Sequence, residues 1–373
     1  MHFKKPNFRR NIINISATFS KFLGAETDKP QLKILEKELK KDYKNVVFMI
    51  FDGMGINPMN INLNKNSILS KNIKKKLTSV FPSTTTSATT ALMSCKYPME
   101  HGWLAWSVYL DFIDKVVDLY PSCDSYTKEK IDAGLLFEHL PYSPYYLENK
   151  SNYCLNTVFP PFMKIGPVEN NVFFENTGEM ANAIKTICKK EGKQFIYCYN
   201  PEPDSTMHMC GVSSAEAKAQ FDDIIKNIED LYKELDDTLF VITADHGQVD
   251  IGGYIEFFKQ EDINELLEVK PFLEPRAAGF IVKRGKEKEF EKLFNKYYKK
   301  DFKLYKSQKL VDKNYFGLKD FKNHRKMLGD YIAICKTNKM FIFAEDRHYF
   351  KGHHTSLTKE IEVPLIILSK QKK

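Results

Sequence analysis

Acidic and histidine side chains recur along this 373-residue chain in short motifs, and their residue types are those of metal ligands. The candidate positions are Asp52, Asp204, His208, Asp245, His246 and one member of the pair His353 and His354. Three carboxylates and three imidazoles suffice for two metal ions, and mixed oxygen and nitrogen ligands suit Zn²⁺ first and Mn²⁺ second. Two such ions about 3.5–4 Å apart can clamp both the attacking and the leaving oxygen of a displacement at phosphorus.

A hydroxyl-rich segment could supply the nucleophile for such a displacement. Residues 83–87 read Ser-Thr-Thr-Thr-Ser and lead into a helical pattern at residues 90–93. The N-terminus of a helix offers free N–H groups and the positive end of the helix dipole, and both favour a phosphate. A hydroxyl beside a bound cation also loses its proton more readily than a free one. The segment is therefore a candidate phosphate cradle.

The elements that must position these residues are short apolar runs, typical of strands buried on both faces. The runs occupy residues 45–51, 195–199, 239–243 and 363–368. Before the third run, Ser213 and Glu216 have capping-box spacing, and apolar residues from Phe221 to Leu235 follow at helical period. This alternation predicts an α/β fold, with a mostly parallel central sheet flanked by helices. Ligands bind at the carboxyl ends of such strands, so we expect the motifs to converge there.

The chain is predicted to divide into three regions. Residues 1–40 are interpreted as a polar, partly helical N-terminal extension, and residues 41–254 together with 346–373 as the catalytic core. Residues 255–345 are rich in Lys and Phe, with a strand pattern at 277–282 and a helical pattern at 286–298, which predicts a smaller inserted α+β domain. Within the core, residues 100–165 hold many aromatic residues and prolines and are predicted to form loops or a lid.

The composition is that of a globular protein. Hydrophobic residues make up 43% and charged residues 28%, which excludes disordered and collagen-like chains. The net charge of +8 and the pI of about 8.8 fall short of the pI above about 9 of a nucleic-acid-binding domain. The seven cysteines form no C-x-x-C pair, which argues against a Cys-based zinc site. No apolar run reaches 18 residues, so we expect no transmembrane helix, and the residues after Met1 do not follow the pattern of a signal peptide. We therefore expect a cytoplasmic protein that binds no specific nucleic acid and no membrane.

In combination and in this order, the motifs resemble those of the alkaline phosphatase superfamily, and within it the type I phosphodiesterase/nucleotide pyrophosphatase family. The matching segments are Phe51-Asp52-Gly53-Met54-Gly55, Phe81-Pro82-Ser83-Thr84-Thr85, Tyr97-Pro98-Met99-Glu100-His101-Gly102, Pro203-Asp204-x-x-x-His208, Thr243-Ala244-Asp245-His246-Gly247 and Gly352-His353-His354. The resemblance covers the core but not residues 1–40. It implies an alkaline phosphatase-like fold.

The resemblance also implies a role for each matching residue. The implied ligands of one metal are Asp52, Thr85, Asp245 and His246, and those of the other are Asp204, His208 and His354. Thr85 aligns with the catalytic nucleophile of the family. The late motif of the family reads Gly-x-His, which selects His354 and leaves His353 as its neighbour.

At one position the chain departs from the family pattern. Nucleotide pyrophosphatases commonly carry an Asn three residues after the nucleophile that donates to a phosphate oxygen, and this chain has Ala88 there. Another donor would be needed, either a backbone N–H near Thr86 or a side chain from residues 100–165. In that range, Trp103 and Trp106 either pack under a loop or stack on a base, and His101 is interpreted as structural.

The function that the resemblance implies is two-metal-dependent hydrolysis of a small-molecule phosphate ester, with a nucleotide among the candidates. It would proceed through a covalent phosphothreonine on Thr85. The alternative within this chemistry is a phosphomonoesterase or a phosphomutase of the same superfamily. The alternative from another class is a non-catalytic metal-bound scaffold or a basic nucleic-acid-binding protein. The sequence leaves the physiological substrate and the oligomeric state open.

Overall fold

The computed structural model describes residues 3–163, 170–318 and 326–371. The strands in these ranges are β1 (Asn45–Phe51), β2 (Ile73–Thr78), β3 (Ser107–Leu110), β4 (Lys115–Asp118), β5 (Cys123–Asp124), β6 (Tyr153–Phe159), β7 (Asn171–Phe173), β8 (Lys193–Asn200), β9 (Thr238–Thr243), β10 (Val249–Asp250), β11 (Gly253–Glu256), β12 (Leu267–Glu274), β13 (Ala277–Val282), β14 (Phe302–Lys306), β15 (Tyr331–Cys335), β16 (Lys339–Ile342), β17 (Gly352–His353) and β18 (Glu362–Lys370). The α-helices there are α1 (Ile12–Phe22), α2 (Lys33–Leu39), α3 (Ile56–Asn62), α4 (Ile68–Lys71), α5 (Thr85–Ser94), α6 (Pro98–His101), α7 (Ala133–His139), α8 (Thr177–Cys188), α9 (Asp204–Cys210), α10 (Ala215–Glu234), α11 (Glu261–Asn264), α12 (Glu287–Tyr298) and α13 (Ser307–Asp312).

The predicted α/β fold with a mostly parallel central sheet is confirmed. Seven strands lie in the order β2-β18-β9-β1-β8-β6-β7, and β18 alone runs antiparallel to its neighbours β2 and β9. All seven residues of β1 are buried, as expected of a strand covered on both faces by helices. Because β9, β1 and β8 are adjacent and parallel, their carboxyl ends meet at one edge of the sheet.

The helix predicted between the second and third apolar runs is α10. It begins after Ser214, whose side chain accepts from the N–H of Ala217, so the cap is one residue later than the predicted Ser213. Phe221 and Ile224 lie on its buried face, with Ile228 one turn further on. This face packs into the core of the central sheet, as the helical period indicated.

The N-terminal region differs from the polar extension that the sequence suggested. Helix α1 is buried along nine of its residues and belongs to the core of the central sheet. Its polar side chains are satisfied inside the protein: Ser16 Oγ donates to Leu92 O at 2.6 Å, and Thr18 Oγ1 donates to Asn14 O at 2.7 Å. A buried polar side chain that finds its hydrogen bond is tolerated in a core, so polarity misled the prediction.

A second sheet of seven antiparallel strands lies in the order β14-β15-β13-β12-β3-β4-β5. The strand and helix predicted for the inserted region are both present: β13 spans Ala277–Val282 within this sheet, and α12 spans Glu287–Tyr298 and packs against it. However, β3, β4 and β5 come from the segment predicted to form loops or a lid. The smaller sheet is therefore assembled from two distant segments, joined where Leu273 of β12 pairs with Ser107 of β3. Among the described residues, no helix is both long and apolar enough to cross a membrane.

Candidate active site

The carboxyl ends of three adjacent strands position the acidic residues of the site. Asp52 directly follows β1, Asp204 begins α9 shortly after β8, and Asp245 follows β9 after one intervening residue. The backbone N–H of Asp204 donates to Asp52 O at 3.1 Å, which ties the first two strand ends together. All three residues are buried, and the most exposed of them, Asp204, is 8% exposed. Their carboxylates therefore need solvation by protein groups or by a cation.

One group of candidate ligands consists of Asp52, Asp245 and His246, whose ligand atoms all lie within 4.8 Å of one another. The His246 Nε2 atom lies 3.2 Å from Asp52 Oδ1 and 3.4 Å from Asp245 Oδ2. Thr85 Oγ1 joins this group, at 3.1 Å from Asp52 Oδ2 and 3.3 Å from His246 Nε2. The four residues predicted to share one metal are therefore together.

The other group consists of Asp204, His208 and His354, and its ligand atoms meet the same 4.8 Å limit. His208 Nε2 lies 3.2 Å from Asp204 Oδ2, while His208 Nδ1 donates to Gly352 O at 2.9 Å. His354 Nδ1 is paired with Thr355 Oγ1 at 2.6 Å. In both imidazoles Nδ1 is engaged in a hydrogen bond, which leaves Nε2 free to bind a metal. A hydrogen bond at the other ring nitrogen is typical of histidines that bind metals. The rings of His246 and His354 lie 4.0 Å apart and join the two groups.

The structure separates the two late histidines. His353 Nδ1 accepts a hydrogen bond from the backbone N–H of His354 at 2.9 Å, and only His354 belongs to a ligand group. The next residue, Thr355, has φ +88°, a conformation that is strained for a β-branched residue. Its backbone pairs with Ser83, two residues before Thr85. The strained turn thus ties the backbone next to His354 to the hydroxyl-rich segment.

Two buried carboxylate oxygens fit a cation. Asp52 Oδ1 and Asp245 Oδ2 accept no hydrogen bond from any described residue, although both atoms are shielded from solvent. A buried carboxylate oxygen without a donor costs free energy unless a cation or a water partners it. The residues of this group therefore fit a divalent metal ion.

Close backbone approaches explain the two glycines that flank Met54. Gly53 has φ +70°, and a Cβ there would lie 2.8 Å from Asp204 Oδ1. A Cβ on Gly55 would lie 2.5 Å from the Cα of Gly247. The N–H of Gly53 also donates to Asp245 Oδ1 at 3.1 Å. Only glycine lets the chain pass this close to both ligand groups.

Burial and mutual repulsion perturb the carboxylates of the site. Burial, reinforced by the charges of Asp245 and Asp204, raises the pKa of Asp52 well above its usual value. Burial and the charge of Asp204 raise the pKa of Asp245 to about 7. Burial also acts to raise the pKa of Asp204, but the ion pair with His208 outweighs it and lowers that pKa to about 2. A cation would relieve the repulsion and favour all three ionised forms.

The imidazoles are perturbed by the same environment. Burial and the neighbouring imidazoles lower the pKa of His354 well below its usual value, so its ring is neutral near pH 7. Burial acts to lower the pKa of His208, yet the adjacent Asp204 carboxylate raises it overall. A neutral imidazole is the form that binds a metal.

Comparison with known proteins agrees with this geometry. A family model described as type I phosphodiesterase / nucleotide pyrophosphatase matches residues 46–357. The chain belongs to this family. The family is one of phosphoester hydrolases that depend on divalent metals, so the protein is a hydrolytic enzyme and the predicted family is confirmed. No curated protein matches the chain significantly.

Solved structures share the fold at low sequence identity. An inactive form of murine ectonucleotide pyrophosphatase / phosphodiesterase 5 in complex with AMP has 14% identity and a TM-score of 0.64, and the match covers 87% of each chain. The human protein of the same name has 16% identity and a TM-score of 0.64, covering 88% of this chain and 90% of that one. Phosphonoacetate hydrolase from Sinorhizobium meliloti 1021 in complex with phosphonoformate has 13% identity and a TM-score of 0.60, with 88% and 90% covered.

Two residues in contact with the candidate ligand groups were missed by the sequence interpretation. The Tyr199 hydroxyl donates to Asp52 Oδ2, and Gln248 Nε2 donates to Asp204 Oδ1. Tyr199 pairs in register with Ile50, two residues before Asp52, so its place at the strand end was a usable signal. Gln248 directly follows Asp-His-Gly, and its position in that motif was the corresponding signal.

The aromatic residues after His101 have different roles in this family member. Trp103 is buried and its Nε1 donates to Leu140 O at 2.8 Å, so it packs under the segment. His101 is buried as well, and its Nδ1 accepts from the N–H of Trp103 at 3.0 Å, a contact of the structural kind predicted for it. Trp106, in contrast, is 39% exposed. Ala88 is fully buried and offers no side-chain donor.

Proposed function

We propose that this protein hydrolyses phosphodiester and pyrophosphate bonds of small molecules through a covalent phosphothreonine on Thr85, with Zn²⁺ as the first candidate for two metal ions. The observation that carries the proposal is the position of the Thr85 hydroxyl. It lies at the N-terminus of α5, 3.1 Å from Asp52 Oδ2 and 3.3 Å from His246 Nε2. Next to it, Asp52 Oδ1 and Asp245 Oδ2 are buried and accept no hydrogen bond from a described residue. When bound, divalent cations would supply positive charge that favours ionisation of a hydroxyl and neutralises a phosphoryl group.

The chain supplies orientation and proton acceptance for the nucleophile. Asp52 Oδ2 accepts from the Thr85 hydroxyl at 3.1 Å and from the Tyr199 hydroxyl, so Tyr199 fixes the carboxylate that holds the proton. In the first step Thr85 Oγ1 forms a bond to phosphorus, the opposite P–O bond breaks, and the leaving oxygen keeps its electron pair. In the second step water attacks the same phosphorus, and Thr85 leaves with its electron pair and regains a proton.

The charge around the site favours a diester over a monoester. A monoester carries a further charged oxygen that a cationic side chain would have to meet. Arg276 is close enough to lower the pKa of the buried His354, but it is fully buried and its Nη2 is paired with Glu360. Its charge is thus compensated within the protein. This observation favours the phosphodiesterase over the phosphomonoesterase and the phosphomutase.

The test is a comparison of matched substrates with and without metal. We expect kcat/KM for bis(4-nitrophenyl) phosphate to exceed that for 4-nitrophenyl phosphate by at least about tenfold, since one uncompensated charge costs more than 1.4 kcal/mol in a desolvated site. Dialysis against a chelator should abolish the activity and Zn²⁺ or Mn²⁺ should restore it, with two ions per chain by elemental analysis. A faster monoester reaction, or full activity of metal-free protein, would contradict the proposal.

Trp106 is exposed and could stack on the base of a nucleotide substrate, which a substitution can test. Its backbone N–H donates to Glu274 Oε1 at 2.8 Å, and its ring lies 6.3 Å from that of Tyr120, whose hydroxyl is hydrogen-bonded to Thr89 of α5. We expect Trp106→Ala to lower kcat/KM for 4-nitrophenyl thymidine 5′-phosphate about tenfold, because stacking on a base contributes about 1–3 kcal/mol. The measurement compares this ester with 4-nitrophenyl methyl phosphate, which has no base and should lose little.

Phe112 provides the matched control for this prediction. It is also 39% exposed, but its ring stacks on His139 at 3.9 Å. Phe112→Ala should leave both substrates within about twofold of the wild-type value. An equal loss on the two esters in Trp106→Ala would mean that Trp106 supports the fold of the segment and contacts no base.

A further inference from the structure

Tyr120 connects the smaller sheet to the nucleophile helix. It lies two residues after the end of β4, and the N–H of the intervening Leu119 donates to Trp106 O at 2.9 Å. The Tyr120 ring packs against two tryptophans, with centroid distances of 6.0 Å to Trp103 and 6.3 Å to Trp106. Backbone pairing and aromatic packing therefore fix the direction in which the Tyr120 side chain extends.

The Tyr120 hydroxyl reaches the first turn of α5. It is hydrogen-bonded to Thr89 Oγ1, and Thr89 Oγ1 donates to Thr85 O at 2.7 Å. Side chains of a helix lean toward its N-terminus, and residues three and four positions apart share one face. Thr85, Ala88 and Thr89 therefore lie on the same face of α5, and the tyrosine hydroxyl meets that face beside the nucleophile.

The number of available protons assigns the donor in the pair formed by Tyr120 and Thr89. A threonine hydroxyl has one proton, and that of Thr89 goes to Thr85 O, because a carbonyl oxygen can only accept. Tyr120 must therefore donate to Thr89 Oγ1. Burial, reinforced by the neighbouring Tyr142, raises the pKa of Tyr120 above its usual value, so its hydroxyl keeps the proton at neutral pH.

The same hydroxyl can turn its proton to a substrate without any movement of heavy atoms. If the Tyr120 proton rotates to a phosphoryl oxygen, the Thr89 hydroxyl can donate to the Tyr120 oxygen instead. Thr85 O then keeps the backbone hydrogen bond from the N–H of Thr89, as in any α-helix. No buried polar group loses its last partner in this exchange, so the donor becomes available at little cost in free energy.

We infer that the Tyr120 hydroxyl is a catalytic group that donates to a non-bridging oxygen of the phosphoryl group at Thr85. A donor held at that oxygen stabilises the charge that develops there in the transition state. The packing of the ring against Trp103 and Trp106 holds the hydroxyl in place, as such a donor requires. The inference rests on the proposed function of Thr85 and adds to it the side-chain donor that Ala88 does not supply.

The test is Tyr120→Phe, which removes one oxygen atom and keeps the ring. We expect kcat/KM for bis(4-nitrophenyl) phosphate to fall about 100-fold, the usual loss for one oxyanion donor. Most of the loss should appear in kcat, because the hydrogen bond strengthens in the transition state, and the inhibition constant of inorganic vanadate should rise as well. A kcat/KM within about threefold of the wild-type value would overturn the inference.

Two matched variants separate chemistry from packing. Tyr142→Phe makes the same change in a tyrosine whose ring also packs against Trp103, at 5.5 Å, and kcat/KM should stay within about twofold. Thr89→Val removes the hydroxyl partner of Tyr120, and kcat/KM should stay within about fivefold, the value of one net hydrogen bond. If Thr89→Val lost as much as Tyr120→Phe, the bond between them would serve α5 and the inference would be wrong.

A fluorine label detects the contact with the hydroxyl in place. 3-Fluorotyrosine incorporated at position 120 keeps the side chain and its hydrogen bonds, so this test stands even where Tyr120→Phe does not fold. The ¹⁹F resonance of the metal-loaded protein should shift when inorganic vanadate binds, and the same label at position 142 should shift far less. A resonance at position 120 that vanadate leaves unchanged would contradict a contact between Tyr120 and the phosphoryl group.

The outcomes separate this inference from the proposed function. A wild-type protein without phosphodiesterase activity would overturn the proposed function. An active wild-type protein, together with unchanged activity and vanadate affinity in Tyr120→Phe, would overturn the role of Tyr120 alone.

Discussion

Replacing Thr85 by Ala should lower kcat/KM for a phosphodiester by at least about 10⁴-fold, since loss of a covalent nucleophile removes the chemical step itself. The Thr85 hydroxyl is the one that lies 3.1 Å from Asp52 Oδ2 and 3.3 Å from His246 Nε2. Ala is a better helix former than Thr, so α5 and the folded protein should remain intact. The measurement is steady-state kinetics with bis(4-nitrophenyl) phosphate, accompanied by thermal unfolding of both proteins.

Thr85→Ser is the matched variant, because it keeps the hydroxyl and loses only a methyl group. It should retain far more activity than Thr85→Ala. Acid quenching of the wild-type reaction, followed by mass spectrometry of the peptide that contains residues 83–87, should place the phosphoryl group on Thr85. Substantial activity of Thr85→Ala, or a phosphoryl group on Thr84 or Thr86, would assign the nucleophile to a neighbouring hydroxyl.

The grouping of Asp52, Asp204 and Asp245 could be predicted from the sequence because each of them follows a strand of the central sheet. The apolar run at residues 45–51 identified β1, and adjacency of parallel strands then placed Asp52 near Asp204 and Asp245. A local pattern sufficed here, since the geometry of a parallel sheet does the rest. His354 was distinguished from His353 only through the resemblance to the family, and the hydrogen bonds of the two rings agree with that choice.

Long-range pairings could not be predicted in the same way. Strands β3 to β5 complete a sheet whose other strands begin at residue 267, and no local pattern in residues 107–124 indicates that partner. The same limit applies to the hydrogen bond between the N–H of Trp106 and Glu274, which joins residues 168 positions apart in the sequence. Only the folded structure brings such distant residues together.

Helix α1 shows a different reason for failure. Its apolar face is interrupted by Asn14, Ser16 and Thr18, a pattern that normally indicates exposure. In the structure Asn14 Nδ2 donates to Phe8 O at 3.1 Å and to Pro30 O at 2.9 Å. Its partners are backbone oxygens of the surrounding chain, and their positions are set by the tertiary fold. The polar side chains in this helix therefore indicated a need for hydrogen bonds, and here backbone oxygens inside the fold accept them.

Replacing His354 by Gln should remove one of the two metal ions and lower kcat/KM at least about 100-fold, because a lost cation removes several kcal/mol of charge stabilisation. His354 Nδ1 is engaged by Thr355 Oγ1 at 2.6 Å, so Nε2 is the atom available to a metal beside Asp204 and His208. The measurement is metal content by elemental analysis after gel filtration, which should fall from two ions per chain to one, together with the kinetics.

His353→Gln is the matched control, since both rings are buried and adjacent in sequence. The His353 Nδ1 atom accepts from the N–H of His354 at 2.9 Å, and the Gln side-chain oxygen can accept the same hydrogen bond. His353→Gln should therefore keep both ions and most of the activity. The comparison separates ligation from packing, because a packing defect would affect the two variants alike. Loss of an ion in His353→Gln, with two ions retained in His354→Gln, would exchange the roles of the two histidines and contradict the second ligand group.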